Sequence, residues 1–298
     1  MAVADHGTFS AAAKSLFTVQ SNVSAHIARL ETELGMVLID RQRGCLTEAG
    51  REVVARARTI HHELEAIRAD VTALTEEVSG DVRLGVIGTT ARWLVPSILQ
   101  ILQDRHPRVR AVVVEASTTS LLPQLVTGHL DLAVVNLPVD DPDVVADELF
   151  DEDLLLVAPT DHPLATRGSV TLTELADYPL LLGAPGTVLR NDLDAEVARA
   201  GVRLRAQAEI DGVRLMASLA FEGFGAAILP ATAVPGWLEG NWKRVSVAGL
   251  PRRKVGLARR RRGLPSAPAR ALSEVIMDVI ADQGRSQPGL HLIAVASR

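Results

Sequence analysis

Residues 9–34 alternate apolar and polar positions with a helical period, in two short segments separated by a tight turn. The first segment is expected to open at Ser10, whose hydroxyl would cap it, and it continues through small side chains. The second carries apolar residues at steps of four, three and four, which form one stripe: Val23, Ile27, Leu30 and Leu34. Its opposite face is short, polar and uncrowded. By itself this pattern also fits an ordinary amphipathic helix pair.

A longer apolar pattern runs from Glu48 to Val78 without an internal proline. Its steps alternate between four and three, which is the heptad seam of a paired helix. The seam comprises Val53, Ala57, Ile60, Leu64, Ile67, Val71, Leu74 and Val78. These 31 residues predict a rod of about 46 Å. The narrow seam favours a dimerisation rod, and the alternative is a helix packed on its own domain.

From residue 82 to about residue 284, apolar runs alternate with amphipathic segments. The predicted strands are Val82 to Ile87, Val109 to Glu115, Leu130 to Val135, Asp153 to Ala158, Pro179 to Leu182, Ala226 to Leu229 and Lys254 to Ala258. The predicted helices are Leu94 to Arg105, Leu121 to Thr127, Val188 to Ala200, Val213 to Glu222 and Ala267 to Asp282. This alternation predicts an α/β sheet with crossover helices.

Composition narrows the class of protein. The chain has 298 residues, of which 47% are hydrophobic and 22% charged, as in globular proteins of two or three domains. It contains no apolar run long enough for a membrane span and no signal-peptide pattern, so we expect a cytoplasmic protein without a membrane partner. Its single cysteine, Cys45, excludes an internal disulfide and a multi-cysteine metal site.

The net charge of −5 argues at first against a nucleic-acid partner. Residues 1–58, however, carry seven basic and six acidic side chains, and the basic ones gather after Asp40. DNA affinity depends on local phosphate contacts, whereas the total charge governs solubility and steering. The acidic total is therefore compatible with DNA binding.

The segment TFSAAAKSLFTVQSNVSAHIARLETELG, followed by LIDRQRGCLTEAG, resembles the helix-turn-helix of the LysR-type transcriptional regulators. The match is dense over the first 58 residues. It implies that the second helix lies in the major groove of double-stranded promoter DNA and that the following loop is a wing along the backbone. A solvated loop is the alternative for the wing. Thr47 would cap the helix that follows.

The resemblance assigns roles to the polar residues of this segment. Base reading is expected from the residues at the opening of the second helix: Gln20, Ser21, Asn22 and Ser24. Phosphate contacts are expected from three arginines: Arg29, Arg41 and Arg43. Ala25 stands where the family often has an arginine. Only Ala2 to His6 corresponds to the family's first helix, so either the start lies upstream or that helix is short.

The second half resembles the family's two-lobed effector domain of periplasmic-binding-protein type, through QLVTGHLDLAVV, DLLLVAPTDHPLA and FEGFGAAILPA. The expected fold is therefore α/β, with an N-terminal all-α winged helix-turn-helix, a long linker helix and a two-lobed effector domain. The expected boundaries are 1–58 for the DNA-binding domain, 59–80 for the linker, 81–157 and 256–284 for lobe 1, 158–255 for lobe 2, and 285–298 for a loose tail.

Ligands of such sheets lie beyond the carboxyl ends of the strands, where helices begin. Three of these openings are rich in hydroxyl groups, and a helix start with a hydroxyl beside it suits a small organic anion. Convergence of the openings on one cleft is what the resemblance supplies, and each could equally be an ordinary helix cap. The candidate residues are Thr89, Thr90, Ser117, Thr118, Thr119, Gly186 and Thr187, with Asn136, Pro138 and Asp211 as weaker candidates.

Other features give weaker evidence about function. Arg92 could neutralise an effector or face solvent, and the run from Arg259 to Arg262 fits a solvated loop better than a nucleic-acid patch. No catalytic constellation or cofactor motif is visible, so an enzyme is not expected. The sequence thus predicts a regulator that binds DNA as a dimer or a dimer of dimers. A solute-binding protein or an enzyme on the same two-lobed fold is the alternative.

Overall fold

The computed structural model of the protein describes residues 1–41, 43–74 and 77–293. It contains three parts: a small helical N-terminal domain, one long linker helix and a two-lobed α/β domain. We call the N-terminal domain the reading head. The reading head comprises α1 (Ala2–His6), α2 (Phe9–Ser15), α3 (Gln20–Leu34), β1 (Ile39–Asp40) and β2 (Cys45–Leu46). Its small core is formed by Ala12, Ala13 and Val23, with Ile27 partly buried against them.

The linker helix α4 spans Glu48–Ala73. The wing packs closely against its first turn, because a Cβ on Gly50 would lie 2.0 Å from the carbonyl oxygen of Leu38. At 26 residues the helix is about 39 Å long, so the prediction of a rod to Val78 was wrong at its end. The chain leaves the helix because Val78 packs against the core of lobe 1 instead of continuing the seam.

Lobe 1 contains a six-stranded sheet in the order β14-β6-β13-β5-β3-β4. Its elements are β3 (Gly80–Val86), α5 (Gly88–Arg105), β4 (Val109–Glu115), α6 (Thr118–Val126), β5 (Leu132–Asn136), β6 (Val144–Glu152), β13 (Arg253–Arg260), α10 (Ala267–Gln283) and β14 (Leu290–Leu292). Strands β3, β4 and β5 are parallel, and β13 runs antiparallel between β5 and β6. Parallel strands end on one edge, so the loops after β3, β4 and β5 share the same side of the lobe.

Lobe 2 contains a second six-stranded sheet, in the order β10-β9-β11-β7-β12-β8. Its elements are β7 (Leu154–Pro159), β8 (Ser169–Thr171), α7 (Leu172–Leu175), β9 (Pro179–Gly183), α8 (Val188–Arg199), β10 (Arg205–Ile210), α9 (Val213–Phe221), β11 (Ala226–Pro230) and β12 (Trp242–Ala248). The parallel strands β10, β9 and β11 again bring their following loops to one edge.

The chain crosses between the lobes twice. It passes from β6 to β7 at Asp153 and returns between β12 and β13 at residues 249–252. Both crossings lie a few residues before the expected positions, since the apolar runs after them already belong to the next sheet. The expected loose tail also differs, because β14 within it pairs antiparallel with β6. Residues 294–298 of that tail lie outside the described residues.

Candidate functional site

The turn between α2 and α3 fixes the exposed end of the reading head. Thr8, and not Ser10, caps α2 by accepting a hydrogen bond from the Ala11 amide at 3.1 Å. Ser10 lies inside the first turn, and its hydroxyl donates to Oε1 of Gln20 at 3.0 Å. The predicted cap was therefore wrong by two residues. Within the turn, Phe17 adopts a left-handed φ of 53° and is 98% exposed, a feature that the apolar pattern did not single out.

The opening of α3 presents exposed polar groups. Gln20, Ser21 and Asn22 are exposed and Ser24 is half-buried. Val19 at the N-cap position offers no side-chain hydrogen bond, so the backbone amides of Gln20 and Ser21 have no side-chain cap and suit an anion. Asn22 Nδ2 donates to Oγ1 of Thr18 at 3.0 Å, which orients the amide group. The structure thus brings all four expected base-reading residues to one helix end.

The three arginines expected on phosphates lie in different settings. Arg29 pairs with Glu33 one turn along α3 at 2.9 Å. Arg41 lies 3.9 Å from Glu31 and its guanidinium is 5.9 Å from the Phe9 ring centroid. Arg43, at the hairpin tip, is the most exposed of the three and lies 3.7 Å from Asp40. Gln42 between them lies outside the described residues.

Glu31 of α3 joins the wing to that helix. Its Oε1 accepts from the backbone amides of Leu38 at 2.8 Å and Ile39 at 3.2 Å. Thr47 caps α4 by accepting from the Gly50 amide at 3.0 Å, which confirms the predicted cap. Hydrogen bonds therefore join the wing to both α3 and α4.

The apolar stripe of α3 is only partly covered within this chain. Val23 is buried and Ile27 is half-buried. Leu30 and Leu34, at the far end of the helix, are 37% and 49% exposed. The predicted stripe is thus present, but its second half faces solvent.

Helix α4 has an apolar face that is open to solvent. The seam residues Ile60, Leu64, Ile67 and Val71 are each more than half exposed. They lie at steps of four, three and four, so they form one continuous stripe on the helix. Such a stripe fits the seam of a paired helix.

The opposite face of α4 is attached to lobe 1 by polar contacts. Thr59 Oγ1 donates to the Thr127 carbonyl at 3.1 Å, and His62 Nε2 lies 2.8 Å from Oδ1 of Asp131. Asp70, near the end of the helix, accepts from the Ala267 amide at 2.7 Å. The helix is thus both a candidate pairing surface and a helix packed on its own domain, the two interpretations that the sequence left open.

Arg58 connects all three parts of the molecule. It pairs with Asp5 of α1 and donates through Nη1 to Nε2 of His129 in lobe 1 at 2.8 Å. Because arginine only donates, Nε2 of His129 accepts, and its Nδ1 donates to the Thr127 hydroxyl at 2.8 Å. Burial lowers the pKa of His129 below its usual range, and the charge of Arg58 lowers it further. A cavity of about 720 Å³ lies beside this contact.

The arginine run after residue 258 is used internally. Arg259 and Arg260 belong to β13, and Arg260 lies 3.3 Å from Glu63 of α4. Arg261 donates to the carbonyls of Pro142 at 2.7 Å and Val144 at 3.0 Å. The interpretation as a solvated loop was therefore wrong for Arg259 and Arg260, which belong to the strand. Arg261 is exposed in the bend after the strand, as that interpretation expects.

In lobe 1, the hydroxyl groups after β4 form a cluster. Ser117 caps α6, and its Oγ lies 2.9 Å from Thr119 Oγ1 and 3.0 Å from Ser120 Oγ. Thr118 Oγ1 accepts from the Asn136 amide at 3.0 Å, which joins the loop after β5 to this cluster. Pro138 follows in the same loop, after a cis peptide bond.

Thr89 and Thr90 lie inside the junction of the two lobes. They are 5% and 0% exposed. Thr89 Oγ1 accepts from Arg253 at 2.7 Å, and the Thr90 hydroxyl lies 3.5 Å from that of Thr232 in lobe 2. The side chain of Arg253 also pairs with the fully buried Glu152. Both threonines are therefore buried at the junction of the lobes, where the sequence analysis expected more open positions.

The lobe 2 candidates lie close to one another. Gly186 adopts a left-handed φ of 88°, and Thr187 Oγ1 donates to the Ala184 carbonyl at 2.9 Å. The Ala184 amide bonds to the Ile210 carbonyl at 3.0 Å, which brings the loop containing Asp211 beside them. Asp211 is exposed. The structure thus forms two polar clusters, one on each lobe.

Two further contacts join the lobes, and neither was predicted from the sequence. Glu115, the last residue of β4, forms an ion pair with Arg214 in the first turn of α9. The guanidinium of Arg92 lies 5.3 Å from the ring centroid of Phe221 in α9, which is neither of the roles considered for it. No local sequence signal marks these pairs, because their partners are 99 and 129 residues apart in the chain.

Within residues 1–41, 43–74 and 77–293, no three His, Cys, Asp or Glu side chains are grouped to hold a metal ion. None of the helices in those ranges is long and apolar enough to cross a membrane. Cys45 is exposed in the wing strand β2.

Comparison with known proteins agrees with this architecture. Residues 1–51 match the family described as "Bacterial regulatory helix-turn-helix protein, lysR family", and residues 75–281 match the "LysR substrate binding domain". A probable hydrogen peroxide-inducible genes activator of Mycobacterium leprae is 35% identical over 295 residues, covering 95% of this chain and 93% of the relative. The dual regulator OxyR of Escherichia coli is 32% identical over 288 residues, covering 94% and 92%.

Solved structures show the same fold. A full-length cysteine-to-aspartate variant of OxyR from Pseudomonas aeruginosa has a TM-score of 0.74 at 25% identity, covering all of this chain and 95% of the other. CbnR complexed with its target DNA has a TM-score of 0.68 at 20% identity, covering 93% and 96%. The two family matches together span most of the chain, and the curated relatives are regulators. The chain therefore belongs to the LysR family of DNA-binding transcriptional regulators.

Proposed function

We propose that this regulator reads promoter DNA with the opening of α3 and grips the backbone with the wing. The observation that supports this most directly is the uncapped, exposed first turn of α3, which carries Gln20, Ser21 and Asn22. Free amides and amide side chains at a helix end suit base edges and phosphates. Arg43 at the hairpin tip would position the protein without reading sequence. A promoter-DNA partner supports a cytoplasmic location for the regulator.

We further propose that two copies pair through the apolar stripe of α4. The stripe is more than half exposed at Ile60, Leu64 and Ile67. Pairing of two such helices would hold two reading heads on a two-fold related site. The regulator would then act as a dimer or a dimer of dimers.

The proposed effector is a small organic anion held between the hydroxyl cluster at Ser117 and the loops of lobe 2. Relatives are named as hydrogen peroxide-inducible activators, and one solved OxyR from Corynebacterium glutamicum is a cysteine-to-serine variant with peroxide bound. Peroxide reacts with cysteine as the thiolate. Residues 46–298 of this chain contain no cysteine, so its effector domain cannot respond by thiol oxidation. Reversible binding of an anion is the response that these lobes support.

Fluorescence anisotropy tests the DNA-reading roles, using duplexes selected from a genomic library and random duplexes of equal length. Arg43→Ala should weaken binding to both equally and reduce the slope of log K against log salt by about 1. Asn22→Ala should lose about 1–3 kcal/mol on the selected duplex and little on random DNA. Equal losses by both variants on both duplexes would contradict this division of roles.

A second titration tests the response. Hydrogen peroxide should leave the DNA affinity of the wild type and of Cys45→Ser unchanged, because the effector domain holds no thiol. A peroxide-dependent change in the wild type that Cys45→Ser abolishes would instead assign the response to the wing.

A further inference from the structure

The ion pair between Glu115 and Arg214 lies where the two lobes meet at the opening of α5. A Cβ on Gly88, the first residue of α5, would lie 2.7 Å from Oε1 of Glu115 and 3.3 Å from Cδ of Arg214. A larger residue at this position would therefore displace the carboxylate of Glu115. The carboxylate of Glu115 thus lies against the start of an 18-residue helix and bonds to the opposite lobe.

The position that the Glu115 carboxylate occupies would suit any carboxylate group. The N-terminus of a helix carries a partial positive charge, and Ile87 at the N-cap position of α5 supplies no side-chain cap. Arg214 adds a full positive charge in the fork geometry that binds a carboxylate through two hydrogen bonds. Ser117 and its neighbouring hydroxyls begin two residues after Glu115. The nearby charges also include Arg92, which stacks on α9, and the exposed Asp211 before α9.

The pair is accessible and therefore weak. The side chain of Arg214 is 62% exposed and that of Glu115 is 37% exposed. Ion pairs with this exposure gain little net free energy, because water and salt compete for both partners. A carboxylate from solution can compete for the same guanidinium. The buried junction contacts of Thr89 and Thr90 offer no such access.

We propose that Glu115 is a built-in competitor of the effector, and that an effector carboxylate takes its place on Arg214. This inference rests on the proposed anion site between the lobes and deepens it by naming the recognising residue. Exchange of one ion pair for another breaks the Glu115 bridge between the lobes and leaves Arg214 paired with the ligand. The arrangement of the lobes then depends on effector concentration, as a differential affinity for two states requires.

The test uses the full chain and acetate as the smallest carboxylate probe, exchanged for chloride at constant ionic strength and followed by thermal shift. Acetamide, of similar shape without the charge, is the matched probe. Glu115→Gln should bind acetate about two- to five-fold more tightly than the wild type, because the competitor is neutral. Arg214→Gln should lose the acetate response, and acetamide should stabilise neither.

Asp278→Asn is the control variant, since it breaks another exposed ion pair of lobe 1, with Arg105 at the opposite end of α5. Its thermal shift should respond to acetate as that of the wild type does. Equal acetate affinity in all four proteins would overturn the inference while leaving an anion site elsewhere in the cleft. If the proposed effector class is wrong, neither the wild type nor Glu115→Gln should respond to acetate. This result differs from an equal affinity in all four proteins, and it would overturn the inference as well.

Discussion

The two faces of the linker helix differ in chemistry and therefore in what they can do. One face presents aliphatic side chains such as Leu64 and Ile67 to solvent. The other is joined to lobe 1 by hydrogen bonds and ion pairs, among them His62 with Asp131 and Glu63 with Arg260. Burial of each aliphatic side chain stabilises a pair by about 1.5–3 kcal/mol, whereas a single hydrogen bond contributes about 0.5–1.5 kcal/mol. The apolar face suits permanent pairing, and the polar face suits an attachment that can be released.

The largest effect should follow from charging the apolar face. Leu64→Asp combined with Ile67→Asp should weaken the dimer at least about a hundredfold, because two buried aliphatic contacts are replaced by carboxylates that need water. Sedimentation velocity measures the mass. Arg68→Ala, on the same helix and exposed in an ion pair with Glu65, is the control and should leave the mass unchanged. A dimer that persists in the double variant would show that α4 does not pair.

A smaller effect should follow from breaking the polar face. The Asp131 side chain is 4% exposed, and it accepts from the Arg83 amide at 2.7 Å and contacts His62. Asp131→Ala leaves these buried groups without a partner and should lower the free energy of unfolding by about 1–3 kcal/mol. Urea denaturation measures the loss. Hydrogen exchange should also rise in the second half of α4, with dimer mass retained. Unchanged exchange in α4 would mean that this contact does not hold the helix.

The smallest effect should be a pH dependence of folded stability, through the contact of the same face with His129. The pKa of His129 is lowered in the folded protein by burial and by Arg58. As pH falls through about 6.5, the unfolded chain takes up the proton first, so folded stability is complete above this pH and decreases below it. His129→Gln should flatten the decrease between pH 7 and 5 in thermal unfolding.

A second histidine provides the reference for that experiment. Burial also lowers the pKa of His162 in lobe 2, so His162→Gln should flatten part of the same decrease. Only His129→Gln should change the pH dependence of hydrogen exchange in α4. If both variants change it alike, the effect belongs to global stability and not to the linker.

The sequence predicted best what is local. Strand β4 and helix α8 begin at the predicted residues, because apolar runs and helical periods are properties of neighbouring positions. Strand β6 was missed, since Asp147 and Glu148 interrupt its apolar pattern where the strand faces solvent. Helix α4 was predicted too long because its seam continues to Val78 in sequence, while the packing of lobe 1 claims that residue.

The cleft was predictable only in part. Ser117, Thr118 and Asn136 come together because β4 and β5 end on the same edge of a parallel sheet. The burial of Thr89 and Thr90 depends on how lobe 2 sits on lobe 1, which no local pattern encodes. The pair of Glu115 and Arg214 depends on the same arrangement.

Arg58 gives the molecule a mechanical constraint. One guanidinium touches α1 through Asp5 and lobe 1 through His129, and it is carried by the helix between them. Lobe 1 therefore cannot rotate about the linker helix unless α1 moves with it or the contacts of Arg58 break. The path from lobe 1 to α1 through this side chain therefore spans the width of one helix rather than its length.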